Sequence, residues 1–239
     1  MRTHIFAHMG KLYDMLQEDI RYEEALNACI NCGTCTALCP AAEFYDYDPR
    51  QIVDLVQKHD EKTLEDLLKS NRIWYCGECM SCVTRCPRNN APGMLIQALR
   101  TLSQRTGMFT ASEKGRQQLA LKRAIGESIL KHGYCVYPRN VSFERHPEAG
   151  LVWKWEHDHL DDVFDRLGGN LDGEGPGVLR KIPQESLDEL QRIFDVTGGQ
   201  AFYDNIERCS AEKAEEMGMT EKEYADYIFT YNSDRHGRE

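Results

Sequence analysis

Two stretches of this chain carry the same cysteine spacing: Cys29-Ile-Asn-Cys-Gly-Thr-Cys-Thr-Ala-Leu-Cys-Pro40 and Cys76-Gly-Glu-Cys-Met-Ser-Cys-Val-Thr-Arg-Cys-Pro87. Each follows the pattern Cys-x2-Cys-x2-Cys-x3-Cys-Pro, and the second begins 47 residues after the first. Together they contain eight of the ten cysteines. This spacing is typical of bacterial ferredoxins, which hold each iron–sulfur cluster by four thiolates. The sequence therefore predicts two [4Fe–4S] clusters.

The fourth cysteine of each stretch is expected to serve the opposite cluster, as it does in two-cluster ferredoxins. The predicted ligands of one cluster are Cys29, Cys32, Cys35 and Cys86, and those of the other are Cys76, Cys79, Cys82 and Cys39. Such a crossing ties the two stretches into one structural unit. It also brings the clusters close enough for direct electron transfer.

Two other uses of the cysteines are less consistent with the sequence. A disulfide framework suits small secreted domains, whereas this chain has 239 residues and its first residues contain no apolar stretch typical of a secretory leader. We therefore expect no leader. Structural zinc sites usually use two Cys-x-x-Cys pairs separated by a loop, not four cysteines within eleven residues. A zinc scaffold nevertheless remains an alternative.

The composition indicates a water-soluble chain in a reducing cytoplasm. The mean hydropathy is −0.59, and the longest unbroken apolar run has four residues, whereas a membrane span needs about 20. The net charge of −10 is uneven: residues 1–149 carry 19 basic and 18 acidic side chains, and residues 150–239 carry 10 and 21. The acidic part suits either a solvated surface or a docking surface for a basic partner. Nucleic-acid binding is not expected, because no sufficiently basic face is evident outside residues 88–131.

Residues 1–108 are predicted to form an α-helical ferredoxin domain. A helix over residues 11–27 leads into the first cysteine stretch and places Ile20 among its inward-facing residues. Pro49 begins a second helix, with Ile52, Val53 and Val56 inward. A long helix follows Pro92, with Leu95, Ala98, Leu99 and Leu102 inward and Gly107 at its end.

Residues 109–239 are predicted to form a mainly helical, acidic extension that is partly irregular over residues 133–185. Ser186-x-x-Glu189 and Thr220-x-x-Glu223 each predict the start of a helix, because they match the capping-box pattern. The glycine-rich segment 168–177 is expected to be a loop or linker. The fold class is therefore mostly α throughout.

The remaining candidates are weaker. Cys135 and Cys209 have no nearby cysteine partner in the sequence, so buried structural thiols are expected, with a redox dithiol as the alternative. His157 and His159 flank Asp158 and form a possible metal site, although a polar surface is the simpler interpretation. No dinucleotide fingerprint, phosphate loop or nucleophile with a base is present. We therefore predict no catalytic residue, and any enzymatic activity would belong to a larger complex.

The residues described above resemble the C subunit of heterodisulfide reductase, the HdrC family. The resemblance rests on both cysteine stretches, on Trp74 and Tyr75 before the second of them, and on the helix that contains Gln97-Ala-Leu-Arg100; it covers roughly residues 10–108. It implies an electron-transfer subunit with two [4Fe–4S] clusters, all eight ligands being matched here. Its partners would be an HdrA-like flavoprotein that also holds clusters and an HdrB-like, disulfide-handling protein with CCG domains. The absence of a CCG domain here fits the HdrC role.

The extension distinguishes this chain from the shorter members of that family, and residues 109–239 are expected to have no clear counterpart in them. Such an extension favours the bacterial heterodisulfide-reductase-like complexes of sulfur oxidation. Two further functions stay open. One is the iron–sulfur subunit of a quinone-linked flavin dehydrogenase, since succinate dehydrogenase contains a similar domain. The other is a non-catalytic, cluster-containing interaction protein. Trp74 and Tyr75 are expected to shield the second cluster from water.

Overall fold

The computed structural model describes residues 11–230 except for residues 27, 145, 147 and 148. Within that part of the chain every regular element is a helix, as the sequence predicted. The residues on which the expectation of no secretory leader rests lie outside the described range. The described chain forms two compact units, the first comprising residues 11–116 and 208–213, and the second residues 117–207 and 214–230.

The first unit is built from short helices around the two cysteine stretches. Its helices are α1 Leu12–Gln17, α2 Ile20–Ala25, α3 Thr34–Ala37, α4 Pro49–Gln57, α5 Glu61–Leu68, α6 Pro92–Thr106 and α7 Glu113–Arg116. The inward faces predicted for α4 and α6 are confirmed, because Ile52, Val53, Val56, Leu95 and Leu99 are all buried in one core. Gly107 ends α6 in the left-handed conformation, with φ of 79°, as the sequence also predicted.

The predicted helix over residues 11–27 is wrong in one respect, because it is two helices rather than one. Asp19 adopts an extended conformation and its carboxylate accepts a hydrogen bond from the Arg21 amide, which caps a new helix. The change of direction leaves Ile20 77% exposed instead of buried. A local side-chain cap therefore overrides the apolar spacing at this position.

The second unit contains the helices of the acidic extension. They are α8 Gln118–Leu121, α9 Glu127–His132, α10 Gly150–Asp158, α11 Leu160–Arg166, α12 Gln184–Val196, α13 Gly199–Glu216 and α14 Glu221–Thr230. Residues 208–213 of α13 group with the first unit. The capping box of α14 is confirmed, since the Thr220 amide donates to Glu223 at 2.8 Å and the Glu223 amide donates to the Thr220 hydroxyl at 3.2 Å. For α12 the predicted start at Ser186 is wrong, because the helix already begins at Gln184, directly after Pro183.

The segment predicted to be least regular contains the helices α10 and α11. The glycine-rich loop after them folds back on itself, since the amides of Asn170 and Asp172 donate to the carbonyls of Val178 and Leu179 at 3.0 and 3.1 Å. In the described part of the chain, no helix combines the length and apolar character needed to cross a membrane.

Candidate iron–sulfur site

The eight cysteines of the two stretches line two cavities in the first unit, four around each. The first cavity, of about 380 Å³ including its opening to solvent, is lined by Cys29, Cys32, Cys35 and Cys86. The second, of about 350 Å³ measured in the same way, is lined by Cys39, Cys76, Cys79 and Cys82. Each cavity therefore takes three cysteines from one stretch and the fourth from the other. This is the same grouping that the sequence analysis assigned to the two clusters.

The two cavities are immediate neighbours. Pro92, the first residue of α6, lines the first cavity, and the next residue, Gly93, lines the second. Consecutive Cα atoms are only about 3.8 Å apart. Helix α4 is shared in the same way, with Pro49 at the second cavity and Val53 at the first. The two cavities therefore adjoin each other along both α4 and α6.

The backbone of the two stretches repeats as closely as their cysteine spacing does. The residues two positions after the first cysteine, Asn31 and Glu78, have φ of 57° and 56°. Two residues further on, Gly33 has φ of 78° and Met80 has φ of 57°. L-residues rarely adopt this left-handed conformation. The left-handed residues change the direction of the backbone, so that each loop curves around its cavity.

Hydrogen bonds to the cysteine sulfurs also recur in both stretches. The amides of Asn31 and Glu78 donate to the sulfurs of Cys29 and Cys76, each at 3.4 Å. Further along, Cys32 pairs with the Thr34 hydroxyl and Cys79 with the Ser81 hydroxyl, again at 3.4 Å. Such contacts to ligand sulfurs are one means by which a protein tunes cluster potential.

Within each stretch, the protein environment lowers the pKa of one cysteine thiol and raises the pKa of another. Hydrogen bonding with the side chains and backbones of Thr34 and Ser81 lowers the pKa values of Cys32 and Cys79. Burial raises the pKa of Cys35, and burial raises that of Cys82 against the opposing effect of a hydrogen bond from the backbone N–H of Gly93.

One cysteine at each cavity reaches the surface. Cys32 and Cys79 are exposed, whereas the other six ligand candidates are partly buried. Ile30, which also lines the first cavity, is 58% exposed. Each cavity thus has one outer edge, and the outer edges lie at equivalent positions of the two stretches.

An arginine holds each loop, but the two arginines differ in their contacts. Arg100 of α6 donates to the carbonyls of Ile73 and Cys76 at 2.7 and 2.6 Å and pairs with the Glu78 carboxylate. Its guanidinium also lies 5.5 Å from the centre of the Trp74 ring. At the first loop Arg50 donates to the Asn31 side chain at 2.8 Å and to Asp48 at 2.9 Å. Since Asn31 and Glu78 are equivalent in the repeat, both arginines act on the same loop position.

Tyr47 provides a test of whether the second cavity fits a bound cluster. Its side chain is only 4% exposed, its hydroxyl is buried without a hydrogen-bond partner in the described chain, and it lines the cavity together with Cys39 and Cys76. An unpartnered buried hydroxyl is costly, so its presence here fits a cavity in which cluster binding converts a neighbouring thiol into a thiolate acceptor. The four surrounding thiols are the donor set of a [4Fe–4S] cluster.

The expected shielding role of Trp74 and Tyr75 stays a prediction, and the structure gives these residues other contacts. Neither is among the residues that line the two cavities. Tyr75 stacks on Tyr45 with ring centres 4.3 Å apart. Sequence reasoning did not single out Tyr47 as the aromatic residue at the second cavity. A signal was present, because Tyr47 precedes Pro49 by two residues just as Asn90 at the first cavity precedes Pro92.

The remaining candidate residues do not join this site. Cys209 is 7% exposed and packs near Gly107, but Cys135 is exposed, so the expectation that it is buried is wrong. Both are free thiols. His157 and His159 each lie against a tryptophan ring, Trp153 and Trp155 respectively. Within the described residues no three His, Cys, Asp or Glu side chains are grouped as ligands of a single metal ion.

Comparison with known proteins agrees with this geometry. Residues 25–90 match the model of the 4Fe-4S dicluster domain family. The C subunit of the ferredoxin:CoB-CoM heterodisulfide reductase of Methanosarcina acetivorans is 36% identical over 210 residues, which cover 87% of this chain and 76% of the relative. The chain belongs to the HdrC family. It is an iron–sulfur electron-transfer protein with two [4Fe–4S] clusters.

Two further relatives extend the comparison. The second iron–sulfur C-type subunit of the CoB–CoM heterodisulfide reductase of Methanocaldococcus jannaschii is 34% identical over 145 residues, covering 61% of this chain and 69% of the relative. The corresponding iron–sulfur C-type subunit of Methanopyrus kandleri is 27% identical over 190 residues, covering 79% and 81%. Members of this family belong to larger complexes, so HdrC proteins have protein partners.

The comparison corrects one expectation about the extension. An alignment that covers 87% of this chain must include much of residues 109–239, since residues 1–108 are less than half of the 239. The extension therefore has a counterpart in an HdrC protein from a methanogen. Its supposed absence from such proteins was the reason for favouring the sulfur-oxidising complexes, and that reason no longer holds.

Proposed function

We propose that this chain relays electrons between two partner proteins of a heterodisulfide-reductase-type complex in the reducing cytoplasm. The partner on one side is an HdrA-like flavoprotein, and on the other an HdrB-like CCG-domain protein, which processes a disulfide or another sulfur substrate. The observation that carries the proposal is the pair of adjoining four-cysteine cavities, each with one cysteine at the surface. The names of the relatives, which are subunits of reductases that act on the CoB-CoM heterodisulfide, support the choice of complex.

The ligand sets are part of the proposal. Cys29, Cys32, Cys35 and Cys86 hold one cluster, and Cys76, Cys79, Cys82 and Cys39 hold the other. The grouping around the cavities supports both sets. When bound, a [4Fe–4S] cluster supplies one-electron redox chemistry. The protein contributes thiolates in fixed positions, amide and hydroxyl hydrogen bonds to the sulfurs, and a buried wall that excludes water from the inner edges.

The two outer edges are the proposed entry and exit points for electrons. Cys32 and Ile30 mark the edge at the first cavity, and Cys79 marks the edge at the second. Arg50 is paired with Asp48, and Glu78 with Arg100, so the charge that distinguishes the two edges is that of Arg88, which lines the first cavity. An acidic partner surface would therefore be favoured at the first edge, which supports separate entry and exit points for electrons.

Affinity purification of the chain under anaerobic conditions tests the function. We expect a flavoprotein and a CCG-domain protein to co-purify with it. The chemically reduced flavoprotein should then reduce the clusters of this chain, and the CCG-domain protein should reoxidise them, as followed by electron paramagnetic resonance. An Ile30→Glu variant should slow transfer at one of the two partners only, and Val178→Glu, at an exposed position of the second unit, is the matched control.

Other outcomes would replace the proposal. Co-purification with a quinone-reactive membrane protein instead would support a flavin dehydrogenase complex. Clusters that bind normally but exchange no electrons with either partner would support a non-catalytic interaction protein. Zinc in place of iron in anaerobic preparations would contradict both the relay and its ligand sets.

A further inference from the structure

The buried hydroxyl of Tyr47 has no explanation within the protein alone. The side chain is 4% exposed, and its oxygen has no hydrogen-bond partner among the described residues. Leaving such a group unsatisfied is unfavourable for folding. By contrast, the buried Tyr13 hydroxyl donates to the Val56 carbonyl at 2.5 Å. The fold thus satisfies one buried tyrosine and leaves the other at the wall of a cavity without an acceptor.

The surroundings of Tyr47 identify the missing acceptor. Burial raises the pKa of Tyr47, and the neighbouring thiols of Cys76 and Cys39 act in the same direction, opposed by Arg100. Of these groups only the two sulfurs can accept a hydrogen bond, because a guanidinium has donors alone. Cys76 is the favoured candidate, because it directly follows Tyr75, whose ring lies edge-on to that of Tyr47 with centres 6.4 Å apart, and because Cys76 and Tyr47 line the same cavity. A phenol is protonated at neutral pH, so it can only be the donor towards a cysteine thiolate.

We propose that the Tyr47 hydroxyl donates a hydrogen bond to the Cys76 thiolate and selectively raises the reduction potential of the cluster held by Cys39, Cys76, Cys79 and Cys82. This inference rests on the ligand sets given under the proposed function and adds a tuning residue to them. Reduction adds one negative charge to the cluster and its sulfurs. A donor directed at a ligand sulfur stabilises that extra charge and therefore favours the reduced state.

At the first cavity the equivalent position carries no hydroxyl. The residue two positions before the helix-starting proline is Tyr47 at the second cavity and Asn90 at the first. Tyr47 is also the only tyrosine among the described residues that line either cavity. The effect of removing its hydroxyl should consequently be confined to one of the two clusters.

Redox titration of the complete chain carrying Tyr47→Phe tests the inference. We expect the midpoint potential of one cluster to fall by ~59 mV for a one-electron couple. At a fixed potential, this corresponds to about a tenfold change in that cluster's ratio of oxidised to reduced form. The other cluster should keep its midpoint. Tyr13→Phe is the matched control: it also removes a buried hydroxyl, away from both cavities, and should lower stability without moving either midpoint.

The outcomes separate this inference from the proposed function. Wild-type protein without two iron–sulfur signals would contradict the ligand sets themselves. Two normal signals with unchanged midpoints in Tyr47→Phe would overturn the role of Tyr47 and leave the relay intact. If the variant binds less iron than the wild type, wild-type protein with 3-fluorotyrosine, whose hydroxyl is a stronger donor, replaces it. A rise confined to one midpoint would then support the proposal, and two unchanged midpoints would overturn it.

Discussion

The two cysteine loops share a backbone but differ in the side chains around it. Both place a left-handed residue at the same two positions, and both direct an amide to the sulfur of the first cysteine at 3.4 Å. The first cavity, however, is walled by Arg50 and Val53, and the second by Tyr47 and Ile96. The repeated backbone therefore accounts for the binding of two similar clusters. The unequal walls give those clusters different environments, which a directed relay requires.

The largest effect is expected from the cysteines that cross between the loops. Cys39→Ser should remove the cluster of the second stretch, because Cys39 lines that cavity, and Cys86→Ser should remove the cluster of the first. Iron and acid-labile sulfide per chain, with the remaining resonance signal, measure this. Cys135→Ser, at an exposed cysteine outside both cavities, should keep all the iron.

If Cys39→Ser instead lost the cluster of the first stretch, the proposed exchange of cysteines between the two loops would be wrong. Such a loss would show that each stretch binds its own cluster without crossing, and the lining of the cavities would then not reflect the ligand sets.

The second expected difference lies in the arginines that hold the loops. The Arg100 side chain is only 16% exposed and makes two carbonyl contacts and an ion pair. Because Arg100→Ala removes all of them, we expect it to lower the free energy of unfolding by about 3 kcal/mol. Arg50→Ala removes contacts of a side chain that is 31% exposed, and about 1 kcal/mol is expected. Anaerobic denaturant unfolding, followed through the visible absorbance of the clusters, compares them.

Equal losses for the two variants would show that the arginine contacts of the two loops are equivalent despite their different burial. Arg180→Ala, whose guanidinium makes one 3.4 Å contact to the carbonyl of the next residue, should change the free energy of unfolding by less than about 0.5 kcal/mol.

A smaller effect concerns the left-handed position that is Gly33 in one loop and Met80 in the other. Gly33→Ala should cost about 1 kcal/mol through backbone strain alone, because a β-carbon there meets no atom within 4 Å. Met80→Gly should be more stable than Met80→Ala by about the same amount. The same denaturant assay measures the three variants.

If alanine were as stable as glycine at either position, the left-handed conformation would not be strained there. The backbone equivalence of the two loops would then no longer explain why glycine occupies one of these positions.

The smallest expected effect comes from the hydroxyls at the outer edges. Thr34→Val and Ser81→Ala each remove a 3.4 Å contact to an exposed cysteine. Water can replace a surface hydrogen bond, so each should lower one midpoint by no more than a roughly twofold change in the oxidised-to-reduced ratio. Redox titration measures both. A shift in the same cluster for both variants would contradict the assignment of Cys32 and Cys79 to different clusters.

The sequence was sufficient for those parts of the molecule in which local spacing determines the structure. The cysteine pattern predicted the two clusters, and the apolar spacing around it predicted the helices, including the buried faces of α4 and α6. It failed at Ile20, where the Asp19 cap breaks a regular pattern, and at Cys135, whose exposure depends on the surrounding chain.

Tyr47 illustrates what spacing alone does not reveal. It lies eight residues after Cys39 in the sequence, in a short aromatic segment without any cluster motif. It reaches the second cavity because the chain turns after Cys39 and enters α4 at Pro49, beside the second stretch. Contacts of this kind arise from tertiary folding, so a motif search identifies the ligands but not the residues that tune them.

The division of each cavity between distant parts of the chain has a consequence for biogenesis. The first cavity needs Cys86, and both cavities need residues at the start of α6. A nascent chain that ends before Pro92 thus lacks part of the wall of each compartment, although it already contains all eight thiols. Helix α6 therefore completes the enclosure of both compartments at once, and we expect a chain that ends before Pro92 to hold its clusters less stably.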